Sequence, residues 1–367
     1  MGNHERAYHK LGRRRFLGLV GGVLGAMASG CQATGRRQET QQAAPSYVDG
    51  GLDWTIPRGP YLQQDAHIAA FLLRADGQQL KRLCDRSLNA VSGGEIEYVP
   101  LVPYVCVLLA DMVVSSLDAR DRELGRMHER ELSFWIPTLA RVSSGGIWVP
   151  DHVACYIPYL FIDHPRAMLI GREVYGFPKT SGRFDGPMDW QAPAFGLDVW
   201  GVEQLAPDAE DSVQRLLTVG PSGTAGGQGG ATWNRWDQAR AAILNLLTRD
   251  VAFPMADAMA GGKEAAQGLF DMNELKVPLV FVKQFRDSAD PQQACYQTLV
   301  EAPAQVRQFY GGGTFEDAYR LTFRALESHP LPEQLGLALD AANGLRATAS
   351  FWVHLDFELG HGHRIEG

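Results

Sequence analysis

The strongest constraint on how this chain folds is a succession of short apolar runs that begins near Leu52. They read "HIAAFLLRA", "EYVPLVPYVCVLLADMVV", "ELSFWIPTLARV", "CYIPYLFID", "AMLIGREVYGF", "AFGLDVWGVEQL", "PLVFVKQFRD", "CYQTLVEAPAQV" and "TASFWVHLDFEL". Gly, Pro, Asp and Ser clusters separate them, and short runs rich in β-branched and aromatic residues between turn formers read as strands. Two stretches break the pattern with helical spacing: "DGQQLKRLCDRSLN", which puts Leu80, Leu83 and Leu88 near one face, and "WNRWDQARAAILNLLTRDV" from Trp233. Many strands with two clear helices predict an α+β fold, mainly antiparallel, with a barrel-like sheet around a central pocket. With 45% hydrophobic and 21% charged residues, the composition is that of an ordinary globular chain.

Residues 51–367 read as one domain carrying a helical insertion at about 205–275, where composition departs most from the strand pattern. That region includes the glycine-rich "GPSGTAGGQGGATW", residues 220–233. No Gly-Lys-Ser/Thr closes it and no strand-turn-helix unit surrounds it, so it reads as a flexible loop rather than a phosphate cradle.

The amino terminus reads as an address. "GRRRFLGLVGGVLGAMASGC" runs from a basic region through the apolar and glycine residues Phe16 to Met27 to small residues, the layout of an export signal over residues 1–31. Its apolar run is too short for a stable bilayer span. Arg13, Arg14, Arg15, Phe16 and Leu17 resemble the twin-arginine export motif, an ordinary arginine-rich secretory signal being the alternative. Ala28-Ser29-Gly30-Cys31 resembles a lipoprotein cleavage box, which would anchor the protein to a membrane surface through Cys31, and Ala26-Met27-Ala28 offers a competing site for a soluble form. Residues 32–50 are polar, small and aperiodic, a tether. The expected location is periplasmic.

The chain holds 34 basic and 42 acidic residues; the first 31 contain five of the former and one of the latter, leaving 29 against 41 for the rest. A surface of that sign argues against nucleic acid as a partner. Cys84, Cys106, Cys155 and Cys295 are widely spaced without a C-x-x-C, so they read as inert thiols, with a disulfide the alternative in an oxidising compartment. His354, His361 and His363 in "HLDFELGHGH" are candidate metal ligands by residue type, but Gly360 and Gly362 interrupt them and no metal is assigned. Trp135, Trp148, Trp200 and Trp352 sit in strand-like runs and read as core. Arg172 and Glu173 read as an ion pair that fixes a turn.

One lysine stands apart. In "GREVYGFPKTSG", Lys179 follows an aromatic and a proline, with "YIPYLFIDHPRAMLI" just upstream, so its amine is expected among apolar walls. Desolvation would lower its pKa and leave a nucleophilic amine.

Three segments, "PRGPY" at 57–61, "ERELSFWIPTL" at 129–139 and "FIDHPRAMLIGREVYGFPK" at 161–179, together resemble the acetoacetate decarboxylase family of Schiff-base enzymes in order and spacing. The resemblance covers residues 52 to 200 best. It implies that Lys179 forms an imine with a keto acid, that Glu131 moves protons, and that Arg58 is the cation of the pocket; Glu129, Tyr61 and Phe177 are expected at the substrate. By strand alternation Glu129 shares a face with Glu131 and rivals it. The implied activity is an exported lyase that decarboxylates a β-keto or related keto acid without a cofactor, as a homo-oligomer. Aldol or dehydration chemistry through the same imine, and a non-catalytic periplasmic ligand-binding protein, are the alternatives. The chain departs from the family pattern at Thr180, where a second lysine is usual, and near Leu108, where a second glutamate falls. With no neighbouring cation, burial alone is left to depress the amine.

Overall fold

The computed structural model describes residues 46–48, 56–186, 190, 192–225, 230–248 and 276–365. The expected export signal, Cys31 and most of the expected tether lie outside the described residues. In chain order the strands are β1 (Tyr61–Arg74), β2 (Ile96–Pro100), β3 (Tyr104–Ser116), β4 (Arg126–Ser144), β5 (Ile147–Ile162), β6 (Lys179–Ser181), β7 (Arg183–Asp185) and β8 (Phe195–Gly201). They continue with β9 (Ser212–Ala225), β10 (Thr232–Trp233), β11 (Lys276–Arg286), β12 (Ala294–Thr314), β13 (Asp317–Phe323), β14 (Gly344–Arg346), β15 (Ala349–Leu359) and β16 (His363–Ile365). The helices are α1 (Gly77–Arg86), α2 (Leu88–Val91), α3 (Pro165–Ile170), α4 (Trp236–Thr248) and α5 (Leu331–Leu335).

The large sheet is mixed and runs β2-β4-β3-β1-β15-β12-β11-β5-β6, and β4 also pairs β5. The hydrogen-bonded path from β4 through β3, β1, β15, β12, β11 and β5 therefore returns to β4. Among the described residues only the β11–β5 and β5–β6 pairings are parallel. A second, antiparallel sheet runs β14-β13-β9-β8-β7.

Strand alternation sends side chains to two cores. On β4, Leu132, Phe134 and Ile136 join Phe195, Leu217, Tyr319 and Phe323 of the second sheet in one core. Met127 and Trp135 fall on the other face, with Ile157, Ile170, Phe177 and Phe281. Each fully buried aromatic or aliphatic side chain contributes roughly 1.5–3 kcal/mol. A β-bulge between Gln63 and Ala66 shifts the parity of β1. Tyr61 on one side of it and Ala66 and Ala70 on the other thus reach the same core, which a regular strand could not achieve.

Three local expectations are corrected. "AMLIGREVYGF" is not a strand: His164 Nδ1 accepts from Ala167 N at 3.4 Å, Pro165 occupies the first turn of α3, and a π-turn over Gly171–Tyr175 follows. Its apolar run is equally compatible with a buried helix, and cap and proline decide. Residues 212–225, expected within a helical insertion, form β9 between β8 and β13, with Leu216, Leu217 and Val219 buried. Among the described residues of that span only α4 matches the helical expectation, and residues 249–275 lie outside them. Trp148 and Trp200 are exposed rather than core; Arg141 lies over the Trp148 ring at 5.9 Å. Cys84, Cys106, Cys155 and Cys295 are free thiols. Burial pushes the first three up to about 12, which makes them inert.

Candidate active site

The turn after α3 is built to present one amine. Gly176, with φ +88°, closes the π-turn by donating its N–H to Gly171 O, and Phe177 N donates to the same oxygen at 3.0 Å. A Cβ at Gly176 would sit 2.6 Å from Lys283 Cα, so both the backbone sign and the close approach require glycine there. Lys283 Nζ donates to Val174 O at 3.1 Å and ties the turn to β11. Arg172, expected to pair with its neighbour, instead donates from Nη1 to Lys179 O at 3.0 Å. The lysine then enters β6, in register with Leu160 of β5. Its stem lies over Gly171, where a Cβ would come within 2.6 Å of Lys179 Cδ.

On β4 the period of two places Glu129 and Glu131 on the face that meets this stem. Lys179 Nζ lies 3.4 Å from Glu131 Oε2 and 3.7 Å from Glu129 Oε1. Lys179 is 7% exposed and Glu129 3%. Glu129 Oε2 is buried with no hydrogen-bond partner among the described residues.

The charge state overturns one expectation. Burial pushes the Lys179 ammonium down, but Glu129 and Glu131 together outweigh it and hold the amine above its ordinary value. Desolvation does not win, because two carboxylates desolvate with the amine and favour its charged form. The Phe177 ring, 5.3 Å from Nζ, works in the same direction. Burial pushes Glu129 up to about 7, opposed by Lys179 and reinforced by Glu131. Glu129 therefore holds its proton to higher pH than an ordinary carboxyl.

Around the triad is a cavity of about 70 Å³, walled by Tyr61, Met112, Trp135, Ile170, Phe177 and Leu359 among others. At 10–15 Å³ per water-sized position it holds about five or six, the scale of a three- or four-carbon keto acid. Five of the six residues expected in the pocket meet here: Lys179, Glu131, Glu129, Tyr61 and Phe177. Arg58 does not. Its guanidinium is 57% exposed and grips Asp121 through Nε at 2.9 Å and Nη2 at 2.5 Å, holding that carboxyl below its ordinary range. Among the described residues that line the cavity, Lys179 is the one cation. Trp135, read as core, lines the cavity and donates to Ser133 Oγ at 2.7 Å. Nothing in the sequence marks Gly171 or Lys283: an amine stem crossing a glycine is a contact across eight positions of sequence that no strand period announces.

A larger cleft, about 310 Å³, shares Ile157 and Phe281 with this region and is lined by Arg86, Ser87, Tyr156, Pro178 and Gln297. It offers no buried amine, and Ser87 Oγ donates to Leu83 O within its own helix end. The smaller cavity is therefore the candidate site.

No protein-family model matches the sequence, and no curated protein matches it. Among solved structures, the chain is similar to acetoacetate decarboxylase from Legionella pneumophila, with 13% identity, 89% of this chain and 93% of that one covered, and a TM-score of 0.50. It is also similar to the enduracididine biosynthesis enzyme MppR complexed with pyruvate, with 14% identity, 85% and 92% covered, and a TM-score of 0.47. A further similarity is to an acetoacetate decarboxylase-like enzyme from Sphingomonas wittichii RW1, with 12% identity, 84% and 94% covered, and a TM-score of 0.44. The first likeness shows a shared fold.

Proposed function

We propose that the chain is a member of the acetoacetate decarboxylase family, a carbon–carbon lyase that acts on a small keto acid through an imine on Lys179. The observation that carries this is the buried amine 3.4 Å from Glu131, in an apolar cavity sized for such a substrate. In support, the segments that resemble the family supply both residues, and the fold is shared with an acetoacetate decarboxylase. The return of the strand path from β5 to β4 supports the reading of a sheet that wraps a pocket.

The steps follow from the geometry. Lys179 rests as an ammonium, so it first transfers a proton to Glu131 Oε2, and the free amine adds to the substrate ketone carbon. Glu129 in its neutral form donates a proton to the carbinolamine hydroxyl, and water leaves as the protonated imine forms. The electron pair of the bond to the carboxylate carbon then moves into the iminium, carbon dioxide departs, and an enamine remains. The protonated Glu131 returns a proton to the enamine carbon, water hydrolyses the resulting protonated imine to ketone and the Lys179 ammonium, and Glu129 regains from solvent the one proton that the reaction consumes. The apolar walls disfavour the substrate carboxylate relative to neutral carbon dioxide, so the same surfaces that enclose it promote its loss. Neutral Glu129 also spares the incoming anion a second fixed negative charge.

Borohydride trapping with a panel of β-keto and α-keto acids, followed by peptide mapping, tests this. A reduced adduct on Lys179 that is absent in Lys179→Ala is expected, with carbon dioxide released from the β-keto acid. An adduct without carbon dioxide would favour aldol or dehydration chemistry. No adduct with any acid, together with unchanged ligand binding by Lys179→Ala, would leave a binding protein.

We further infer export, from the basic, apolar and small-residue order of residues 1–31. Mass spectrometry of mature protein should find a start at Ser29 for a soluble periplasmic form or at acylated Cys31 for a lipoprotein; a chain still beginning at Met1 would exclude both.

A further inference from the structure

The same bulge that lets β1 serve the catalytic cavity assembles a second cluster on the opposite face. β15 turns Phe357 and Leu359 to the cavity, and by alternation His354 and Asp356 stand on the other side of the sheet. His67 of β1 lies directly opposite His354 in the antiparallel register. The two imidazoles stack at 3.9 Å with planes 15° apart. Asp65, the bulged residue, has φ +51°, one of two non-glycine positions in the described residues on the positive side. That backbone brings its carboxylate to both rings: Oδ1 is 2.6 Å from His354 Nε2 and 3.7 Å from His67 Nε2.

We propose that Asp65, His67 and His354 form a binding site for a divalent transition cation of the zinc type. One ligand atom from each residue lies within 4.8 Å of the others. Donors arranged tetrahedrally at zinc distances are about 3.3 Å apart, and the observed 2.6 and 3.7 Å bracket that spacing. Two imidazoles and a carboxylate are a donor set that suits zinc and its neighbours and disfavours calcium or magnesium. One carboxylate oxygen facing two ring nitrogens is more than a single histidine needs for orientation, and it is the convergence a shared ion uses.

The surroundings hold the three groups in place. Asp356 Oδ1 accepts the Asp65 N–H at 2.8 Å and so fixes the bulge, while its Oδ2 accepts the Tyr310 hydroxyl at 2.8 Å. Tyr310 packs on the His354 ring at 4.6 Å, and Trp190 stacks on His67 at 5.4 Å. Asp111, in register with His67 on β3, adds negative charge and is itself bonded to His128. The Asp65 side chain is 71% exposed, so solvent can complete the coordination and the ion can enter. A cation here would join β1 to β15, the two strands that carry Tyr61 and Leu359 to the cavity, without touching Lys179.

Calorimetric titration of metal-free full-length protein with Zn²⁺, and Co²⁺ absorption as a spectroscopic readout of coordination, test the site. About one equivalent should bind per chain, with affinity at least about 100-fold weaker in His67→Ala and His354→Ala, since even supporting groups around a metal are worth 10–100-fold. Asp65→Asn is the control for folding, because asparagine tolerates the left-handed backbone, and it should weaken Zn²⁺ while keeping the circular dichroism of the parent. Failure of Zn²⁺ to bind the parent, or affinity unchanged in any folded variant of the three, overturns the site. Borohydride trapping on Lys179 should be the same with and without Zn²⁺, so the two proposals fail independently.

Discussion

Lys179 Nζ and Glu131 Oε2 stand 3.4 Å apart on different strands, and with Glu129 beside them the carboxylates rather than burial set the charge of the amine. On the proposed chemistry, a nucleophilic lysine would be generated by proton transfer within the triad, not by a standing loss of its proton. Glu131→Gln should therefore lower the Lys179 pKa yet slow imine formation by about 10²–10⁴, the usual worth of a positioned proton carrier. The pH dependence of borohydride trapping reads both effects. A variant that traps faster at neutral pH would mean that Glu131 only holds the amine charged.

Gly171 gives a steric test. Its backbone is an ordinary helical one, φ −60°, so alanine meets no strain there; the obstacle is Lys179 Cδ, 2.6 Å from the new Cβ. Gly171→Ala should cost about 1–3 kcal/mol as overpacking and displace the amine, so trapping falls much more than thermal stability does. Full trapping in Gly171→Ala would show that the stem has another path to the cavity.

Glu129 makes stability depend on pH. Its carboxyl is raised from 4.5 to about 7 in the folded state, so the native protein binds a proton that the unfolded chain has released between those values. The associated stability is fully present below the unfolded value and is lost as pH rises through about 7. Its size is at most about 3 kcal/mol. Urea unfolding should show Glu129→Gln gaining stability relative to the parent between pH 5 and pH 8. Parallel curves for the two proteins would mean that Glu129 ionises normally.

Strand content and the Glu129/Glu131 face were legible because a period of two leaves its mark on short apolar runs. The lysine was legible because proline and an aromatic flank it, though its surroundings were read from one segment and the carboxylates that govern its charge come from another. The "AMLIGREVYGF" run was misread since an apolar run of that length fits a buried helix as well as a strand, and the cap at His164 is a signal only once Pro165 is taken with it. The β9 strand was hidden by its glycines, and its pairing with β8 and β13 is a long-range fact. The Asp65 bulge lies in an otherwise regular strand and leaves no composition signal.

Arg58 separates resemblance from placement. Its paired guanidinium is largely exposed and outside the cavity lining, so Arg58→Ala should leave Lys179 trapping close to that of the parent. Asp121 is buried, so loss of the guanidinium should cost more than an exposed pair does, about 1–3 kcal/mol, with the Arg58 N–H still donating to its carboxylate. A large loss of trapping with an unchanged melting temperature would show that Arg58 reaches the substrate in a form of the protein other than the isolated chain.

Thr180 occupies the position where the resembled family usually carries a second lysine, and the structure limits what a charge there can do. Lys179 is buried and Thr180 is exposed, as alternation along β6 requires, so the two side chains leave the strand in opposite directions. Thr180 Oγ1 faces Leu160 O at 3.4 Å rather than the cavity. A cation at 180 would sit in solvent, where its field is screened, whereas Glu129 and Glu131 act on Nζ at 3.7 and 3.4 Å inside the cavity. Thr180→Lys should therefore shift the pH profile of trapping by well under the shift produced by Glu131→Gln. Comparing the two profiles at low and at high salt is the measurement: a large, salt-insensitive shift in Thr180→Lys would place its charge inside the site and undo the account of the amine given by the triad.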